Sequence, residues 1–480
     1  MAVLEEPIKE VKTIKNFIGG EWVESKGEIV DVVNPVTGKT IARVPISTKD
    51  EIDAAVAAAQ EAFPDWRATP PVARARCLFR LKELLEDNFE EVSRIQTQEH
   101  GKTIDESRGE TRRGIENVEV ACGIPTLMQG PYSEDIASGI DEWIIRQPLG
   151  VFGIIGPFKF LFMIPLWSAP YAVATGNCVV IKPSSEVPNS QVRLAELADE
   201  AGFPPGVWNV VHGGRTVVNG MLDHTNIKGI AFVGSTPTAR DVIYKRCGET
   251  GKRVIAQGGA SNFLVIMPDC NVERTVPALM TSFFGNTGQR CLSGQTLIIV
   301  GEDDRFYNSF MDAVTATAKG IIIGNGLDEA VQMGPLRDKE KKAKVIRYIE
   351  SGIQQGAKIR LDGRKGIKIT GDYPETYFLG PTILENVTPD MKIVKEEIFG
   401  PTMGVIRVKN LAETIEICNN ANPFGNAHAI FTSNGKNARE FQYRVISGNV
   451  GINIGIVAPM AFFPIRGEKR CFYGILHTQG

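Results

Sequence analysis

Cys291 follows the run Phe283-Phe284-Gly285-Asn286-Thr287-Gly288-Gln289-Arg290, and an apolar, helical-looking stretch from Val276 to Phe284 leads into it. The thiolate is the reactive form of cysteine, and a neighbouring cation or helix end favours it, so this stretch can carry a nucleophile. A buried structural cysteine is the competing reading, because free cysteine packs as a small apolar residue. Arg290 beside the thiol and Arg113 in Arg113-Gly114-Ile115-Glu116 are cations able to clamp a carboxylate through paired hydrogen bonds. A surface salt bridge for the one and a structural fork for the other are the competing readings.

Three further stretches suit a nucleotide. Gly234 and Ser235 follow an apolar strand pattern and precede a helical one, where backbone N–H groups can approach a pyrophosphate. The run is not GxGxxG, since Ala239 stands where a last glycine would be, and a plain strand-to-helix turn fits it too. Lys182 comes one residue after the apolar strand Cys178 to Ile181, at the carboxyl end where open α/β sheets bind ligands. Glu396 and Glu397 precede Ile398-Phe399-Gly400-Pro401; a carboxylate there can hold ribose hydroxyls, and Phe399 can back a nicotinamide ring. Alone, the same residues read as a solvated turn.

The elements that must position these groups follow from the pattern. Short strands broken by Gly and Pro run from Thr13 to Pro45. Thr48-Lys49-Asp50-Glu51 is a capping box opening an Ala-rich helix to Phe63. A second helix follows Pro70-Pro71 to about Asn88, with Leu78, Leu81, Leu84 and Leu85 on its apolar side, and helical pattern continues from Glu90 to Gln129. After Ser133, strands and helices alternate, which predicts an α/β fold with parallel sheets covered on both faces. The expected organisation is two doubly wound α/β domains with a small β oligomerisation flap: residues 1–130 and 148–257, then 258–448, with 131–147 and 449–480 bridging.

At 480 residues the chain is long enough for two or three domains. A net charge of −3 without Lys/Arg-rich runs argues against a nucleic-acid partner. Its eight cysteines show neither CxxC pairs nor close histidines, so no metal site is expected, and they fit a reducing cytoplasm. The start, Met1 to Lys12, lacks an apolar core for a signal peptide, and no apolar run reaches membrane-spanning length.

Taken in order, Pro157-Phe158, Lys182-Pro183-Ser184, Phe232-Val233-Gly234-Ser235, Gly258-Gly259, Gly288-Gln289-Arg290-Cys291 and Glu397-Ile398-Phe399-Gly400-Pro401 resemble the aldehyde dehydrogenase superfamily over nearly the whole chain. The stretches Arg113–Glu119, Val450–Pro464 and Phe472–Gly480 look closest to its CoA-acylating, methylmalonate-semialdehyde branch. The resemblance implies that Cys291 attacks the aldehyde, that NAD rather than NADP takes the hydride, and that CoA accepts the acyl group. It implies that Arg113 and Arg290 hold the carboxylate of malonate or methylmalonate semialdehyde. It assigns Gly156, Phe158, Lys182, Ser185, Glu186, Gly234, Ser235, Gly258, Glu397 and Phe399 to the cofactor.

In most of the superfamily a glutamate two residues before the paired glycines activates water; that position is Ala256, as in the acylating branch. The oxyanion-hole asparagine is replaced by Lys159, expected to donate to the oxyanion, to acidify Cys291, or to pair with Glu397 and block the nicotinamide site. A non-acylating dehydrogenase, or a homologue impaired by Lys159, are the alternatives. Against the resembled family's pattern the sequence stops about one strand short; a sheet edge left by such a loss would favour association, and a dimer or tetramer is expected.

Overall fold

The computed structural model describes residues 3–475. Two large sheets carry the fold. The first runs in the order Phe472–Gly474, Arg253–Gln257, Ile227–Val233, Val151–Ile155, Cys178–Lys182, Trp208–Val210, Asn16–Ile18, Glu21–Val23. Its central five strands are parallel and its edges antiparallel. The second runs Lys358–Leu361, Thr382–Glu385, Thr402–Val408, Gly294–Val300, Asn262–Ile266, Ala427–Phe431, Asn449–Ile452, parallel except at Lys358–Leu361.

Sequence dictates this layering. Cys178–Lys182 and Asn262–Ile266 are buried at every position, as short apolar strands covered on both faces must be. The helix Pro71–Asp87 buries Leu78, Leu81, Leu84 and Leu85 together. The helix Lys49–Ala68 opens where Glu51 Oε2 accepts the Thr48 N–H at 2.6 Å. It passes the expected end at Phe63 and continues through Pro64, because Trp66 is buried and donates from Nε1 to the Val173 carbonyl at 2.9 Å. Tertiary packing outweighs the local cost of proline there.

The chain first crosses between the two large sheets at residues 258–261. Arg253–Gln257, next to the edge of the first sheet, leads through Gly258-Gly259-Ala260-Ser261 directly into Asn262–Ile266, inside the second. Strand carboxyl ends of the first sheet therefore face a cleft beside the second, where open α/β sheets hold ligands.

Two segments extend from these sheets. Tyr132–Ala137 pairs antiparallel with Ile140–Trp143 in a hairpin whose Tyr132, Ile136, Ile140 and Trp143 side chains are exposed. Asn449–Ile452 joins the second sheet and Phe472–Gly474 the first, so the end of the described chain ties both together. Residues 476–480, which complete the motif beginning at Phe472, lie outside the described residues. No helix among the described residues is long and apolar enough to cross a membrane.

Candidate active site

Cys291 is reached by a sharp reversal rather than by a helix running into it. The helix Val272–Phe283 starts where the Asn271 side chain accepts the Arg274 N–H at 3.0 Å, and it stops eight residues short of the thiol. Asn286, Thr287 and Gly288 then follow with φ of +50°, +53° and +70°. Glycine is required at the third: a Cβ on Gly288 would lie 2.1 Å from the Gly400 carbonyl oxygen. The strain at the two non-glycine positions is held by Asn286 Nδ2 donating to the Gln289 carbonyl at 3.0 Å and Thr287 Oγ1 donating to the Gly334 carbonyl at 2.8 Å. Cys291 itself is 1 % exposed, and its carbonyl oxygen accepts from the side-chain amides of Asn262 and Asn426 at 2.8 and 2.9 Å. Two amides thus fix the main chain of the thiol.

A cavity of about 420 Å³ opens on Cys291. Arg113 and Arg290 both line it, with Phe160, Met163, Trp167 and Ile456 supplying apolar wall. Neither guanidinium is idle. Arg290 Nη2 lies 3.0 Å from Glu106 Oε1, and Arg113 Nη1 lies 2.8 Å from Glu116 Oε2 and 2.7 Å from Met460 Sδ. Glu106 also accepts the Thr103 N–H at 3.0 Å, at the start of the helix Ile104–Cys122, and the Asn286 N–H in the turn before the thiol. One carboxylate thus couples the arginine, the helix and the turn. Its position was visible in the sequence as the last residue of a capping box, Thr103-Ile104-Asp105-Glu106, but its reach to Arg290 was not.

A second cavity, of about 570 Å³, lies in the cleft at the strand ends. It gathers Gly156, Phe158, Lys159, Lys182, Gly234, Ser235, Glu397 and Phe399, residues far apart in the chain, on one wall system. Glu397 Oε1 accepts the Ala260 N–H at 2.8 Å. Phe399 has φ of +62° and sets its ring edge-on to Phe158, centroids 6.1 Å apart. Burial pushes the Lys182 ammonium down to about 8, against a smaller opposing pull from Glu186. Sequence reasoning missed Arg215, Lys341 and Lys344, which bring the lining cations to five against the single carboxylate Glu397. Such an excess suits a diphosphate.

Three residues expected to hold the cofactor do not line this cavity. Ser185 turns its hydroxyl to the Gly213 carbonyl at 3.1 Å. The Glu186 carboxylate is taken by Lys341 Nζ at 2.9 Å, with Arg337 Nε at 3.8 Å. Ser184 takes the wall position instead. Gly258 spends its N–H on the Cys471 carbonyl at 2.7 Å, in the crossing between the sheets.

Lys159 also departs from expectation. It lines the cleft and not the Cys291 cavity, with its ammonium 5.3 Å from the centre of the Phe399 ring. Its carbonyl is held at 2.8 Å by the Lys102 ammonium, and its long side chain carries the charge into the cleft beyond where a short amide would end. The expected pair with Glu397 does not form: among the described residues no carboxylate lies within 4 Å of Lys159 Nζ. Ala256 is fully buried in Arg253–Gln257, so this strand places no carboxylate near the thiol.

A buried, fixed thiol in a cavity with two guanidinium groups, beside a cation-lined cleft at strand ends, suits an enzyme that works through a covalent sulfur adduct and a nucleotide. Residues 22–480 match the model of the aldehyde dehydrogenase family. The chain belongs to that family. It is 46 % identical over 471 residues to malonate-semialdehyde dehydrogenase 2 of Geobacillus kaustophilus, covering 98 % of this chain and 96 % of the relative. The methylmalonate-semialdehyde dehydrogenase of Oceanimonas doudoroffii superposes with a TM-score of 0.94 at 39 % identity, over 98 % of this chain and 95 % of that one. A Sinorhizobium meliloti 1021 structure described as a methylmalonate-semialdehyde dehydrogenase complexed with NAD gives 0.94 at 38 %, with the same coverage.

Proposed function

We propose that this protein oxidises malonate or methylmalonate semialdehyde with NAD and passes the acyl group to CoA. The observation that carries the reading is the shared cavity: Cys291, Arg113 and Arg290 line one space, so an aldehyde carbonyl can reach the sulfur while its carboxylate meets a guanidinium. The full-length likeness to relatives named for these semialdehydes supports the substrate class.

Each step falls to residues in hand. Cys291 Sγ, as thiolate, attacks the aldehyde carbon and forms a thiohemiacetal. The Arg290 and Arg113 forks keep the substrate carboxylate in the cavity that holds the thiol, an orientation that makes the attack effectively unimolecular. The cleft residues Lys182, Gly234, Ser235 and Glu397 would hold NAD, which when bound accepts hydride from the thiohemiacetal carbon. The cation excess of the cleft fits its diphosphate, and the edge-on rings of Phe158 and Phe399 fit an aromatic end. Loss of hydride leaves a thioester on Cys291. With Ala256 where a water-activating glutamate stands in most of the superfamily, hydrolysis lacks a general base, and the thiol of CoA displaces Cys291 by thioester exchange.

The exposed apolar side chains of the Tyr132–Ala137 and Ile140–Trp143 hairpin support a further part of the reading, assembly with copies of the same chain into a dimer or tetramer. Light scattering on the native chain tests assembly; a monomer at micromolar concentration would reject it. NADH formation from malonate semialdehyde tests the reaction. Continuous turnover that requires CoA supports the reading, and equal turnover without CoA favours a hydrolytic dehydrogenase.

A further inference from the structure

Lys159 takes no part in the steps above, yet its charge sits at the reactive end of the cleft. That end is identified by contact: Gly288, in the turn that delivers Cys291, packs against Gly400, the residue after Phe399. Arg215 and Lys182 line the same cavity. A hydride acceptor must therefore place its ring by Phe399, and Lys159 Nζ lies 5.3 Å from the centre of that ring. Among the described residues no carboxylate neutralises this ammonium within 4 Å, and the one acid lining the cleft, Glu397, is engaged by the Ala260 N–H.

We propose that Lys159 sets the redox preference of the bound coenzyme, favouring NADH over oxidised NAD. This rests on the dinucleotide reading of the cleft. The oxidised nicotinamide ring carries one positive charge; on accepting hydride, two electrons with one proton, it becomes neutral. An ammonium beside the ring repels the first form and is indifferent to the second. Lys159 thus weakens NAD relative to NADH and makes the bound ring a stronger oxidant. Glu397 acts in the opposite sense, so removing Lys159 leaves the acid's pull unopposed. One unit charge about 6 Å away, in a medium between the protein and water limits, shifts the ratio of the two affinities about tenfold. Tenfold for a two-electron couple corresponds to about 30 mV.

The test is equilibrium binding of NAD, NADH and ADP-ribose to the full chain, native and as Lys159→Asn and Lys159→Arg. The expected result is an NADH-to-NAD affinity ratio that falls about tenfold in Lys159→Asn and is retained in Lys159→Arg, with ADP-ribose affinity unchanged in both. An unchanged ratio in Lys159→Asn, or equal loss of affinity for all three ligands, overturns the proposal and leaves Lys159 a packing residue. Failure of the native chain to bind any of the three overturns the dinucleotide reading itself, and this proposal with it.

Discussion

Lys102 and Glu110 form an ion pair with both side chains buried, and the Lys102 ammonium donates onward to the Lys159 carbonyl at 2.8 Å. Glu110 Oε1 accepts the Phe162 and Met163 N–H groups at 2.8 and 3.1 Å. The pair therefore ties down both ends of the 159–163 segment, whose Phe160 and Met163 line the thiol cavity and whose Lys159 lines the second cavity. Glu110→Ala leaves the ammonium uncompensated and two N–H groups unpaired. The expected loss is about 3–5 kcal/mol of stability, readable by denaturant unfolding. A loss below about 1 kcal/mol would show that water replaces the carboxylate.

Arg113 and Arg290 should act on the carboxylate of the substrate and not on its aldehyde. Arg290→Ala and Arg113→Ala are each expected to lower kcat/KM for malonate semialdehyde about 10- to 100-fold, the worth of a charge-assisted hydrogen bond, with little change for an uncharged aldehyde such as propanal. Steady-state kinetics on both substrates check this. Equal losses on both would assign the arginines to holding Glu106 and Glu116 in place.

Lys182 gives dinucleotide binding a pH dependence. Burial holds its ammonium down to about 8, well below the ordinary lysine value, so the charge is present at pH 7 and lost as pH rises through about 8. Affinity for NAD should fall between pH 7 and 9 in the native chain and stay flat over that range in Lys182→Met. Titration calorimetry at several pH values reads the difference. Parallel curves would show that the neutral amine binds the ligand as well.

His212 and His428 are buried, and desolvation pushes both down to about 3. Their folded values lie below the unfolded one near 6.5, so the unfolded chain binds more protons between about 3 and 6.5, and stability falls as pH drops through that window. At pH 5 the expected cost is on the order of 1–2 kcal/mol for each, by proton linkage. His212→Gln should flatten part of the acid limb in thermal melts taken from pH 7 to 4.5; an unchanged limb would place the acid sensitivity elsewhere.

Much of this architecture was legible in the chain, and the failures have physical causes. Apolar strands such as Cys178–Lys182 and the leucine stripe of Pro71–Asp87 announce themselves because burial selects residue type position by position. The helix Lys339–Gln354 escaped notice because it buries only Val345, Ile349 and Gly352, too narrow a stripe to stand out among its charges. Gly435–Arg444 buries Phe441 alone. At the site, residue types pointed to groups that line a cavity when they are small or adjacent to turns, as with Cys291 in the first cavity and Gly234 and Ser235 in the second. They did not foretell side-chain direction: Ser185 and Glu186 follow Ser184 by one and two residues but turn away to Gly213 and Lys341. Arg215, Lys341 and Lys344 reach the cleft from distant segments whose packing only the fold decides.

Acylation of Cys291, with release by CoA and not by water, is the central claim. Intact-protein mass spectrometry after mixing the native chain with malonate semialdehyde and NAD, first without CoA, tests it most directly. The expected result is one acyl adduct per chain, mapped to Cys291, absent in Cys291→Ala, stable for many turnover times in buffer and lost within one turnover time when CoA is added. No adduct, an adduct on another residue, or an adduct that water removes as fast as CoA does would contradict it.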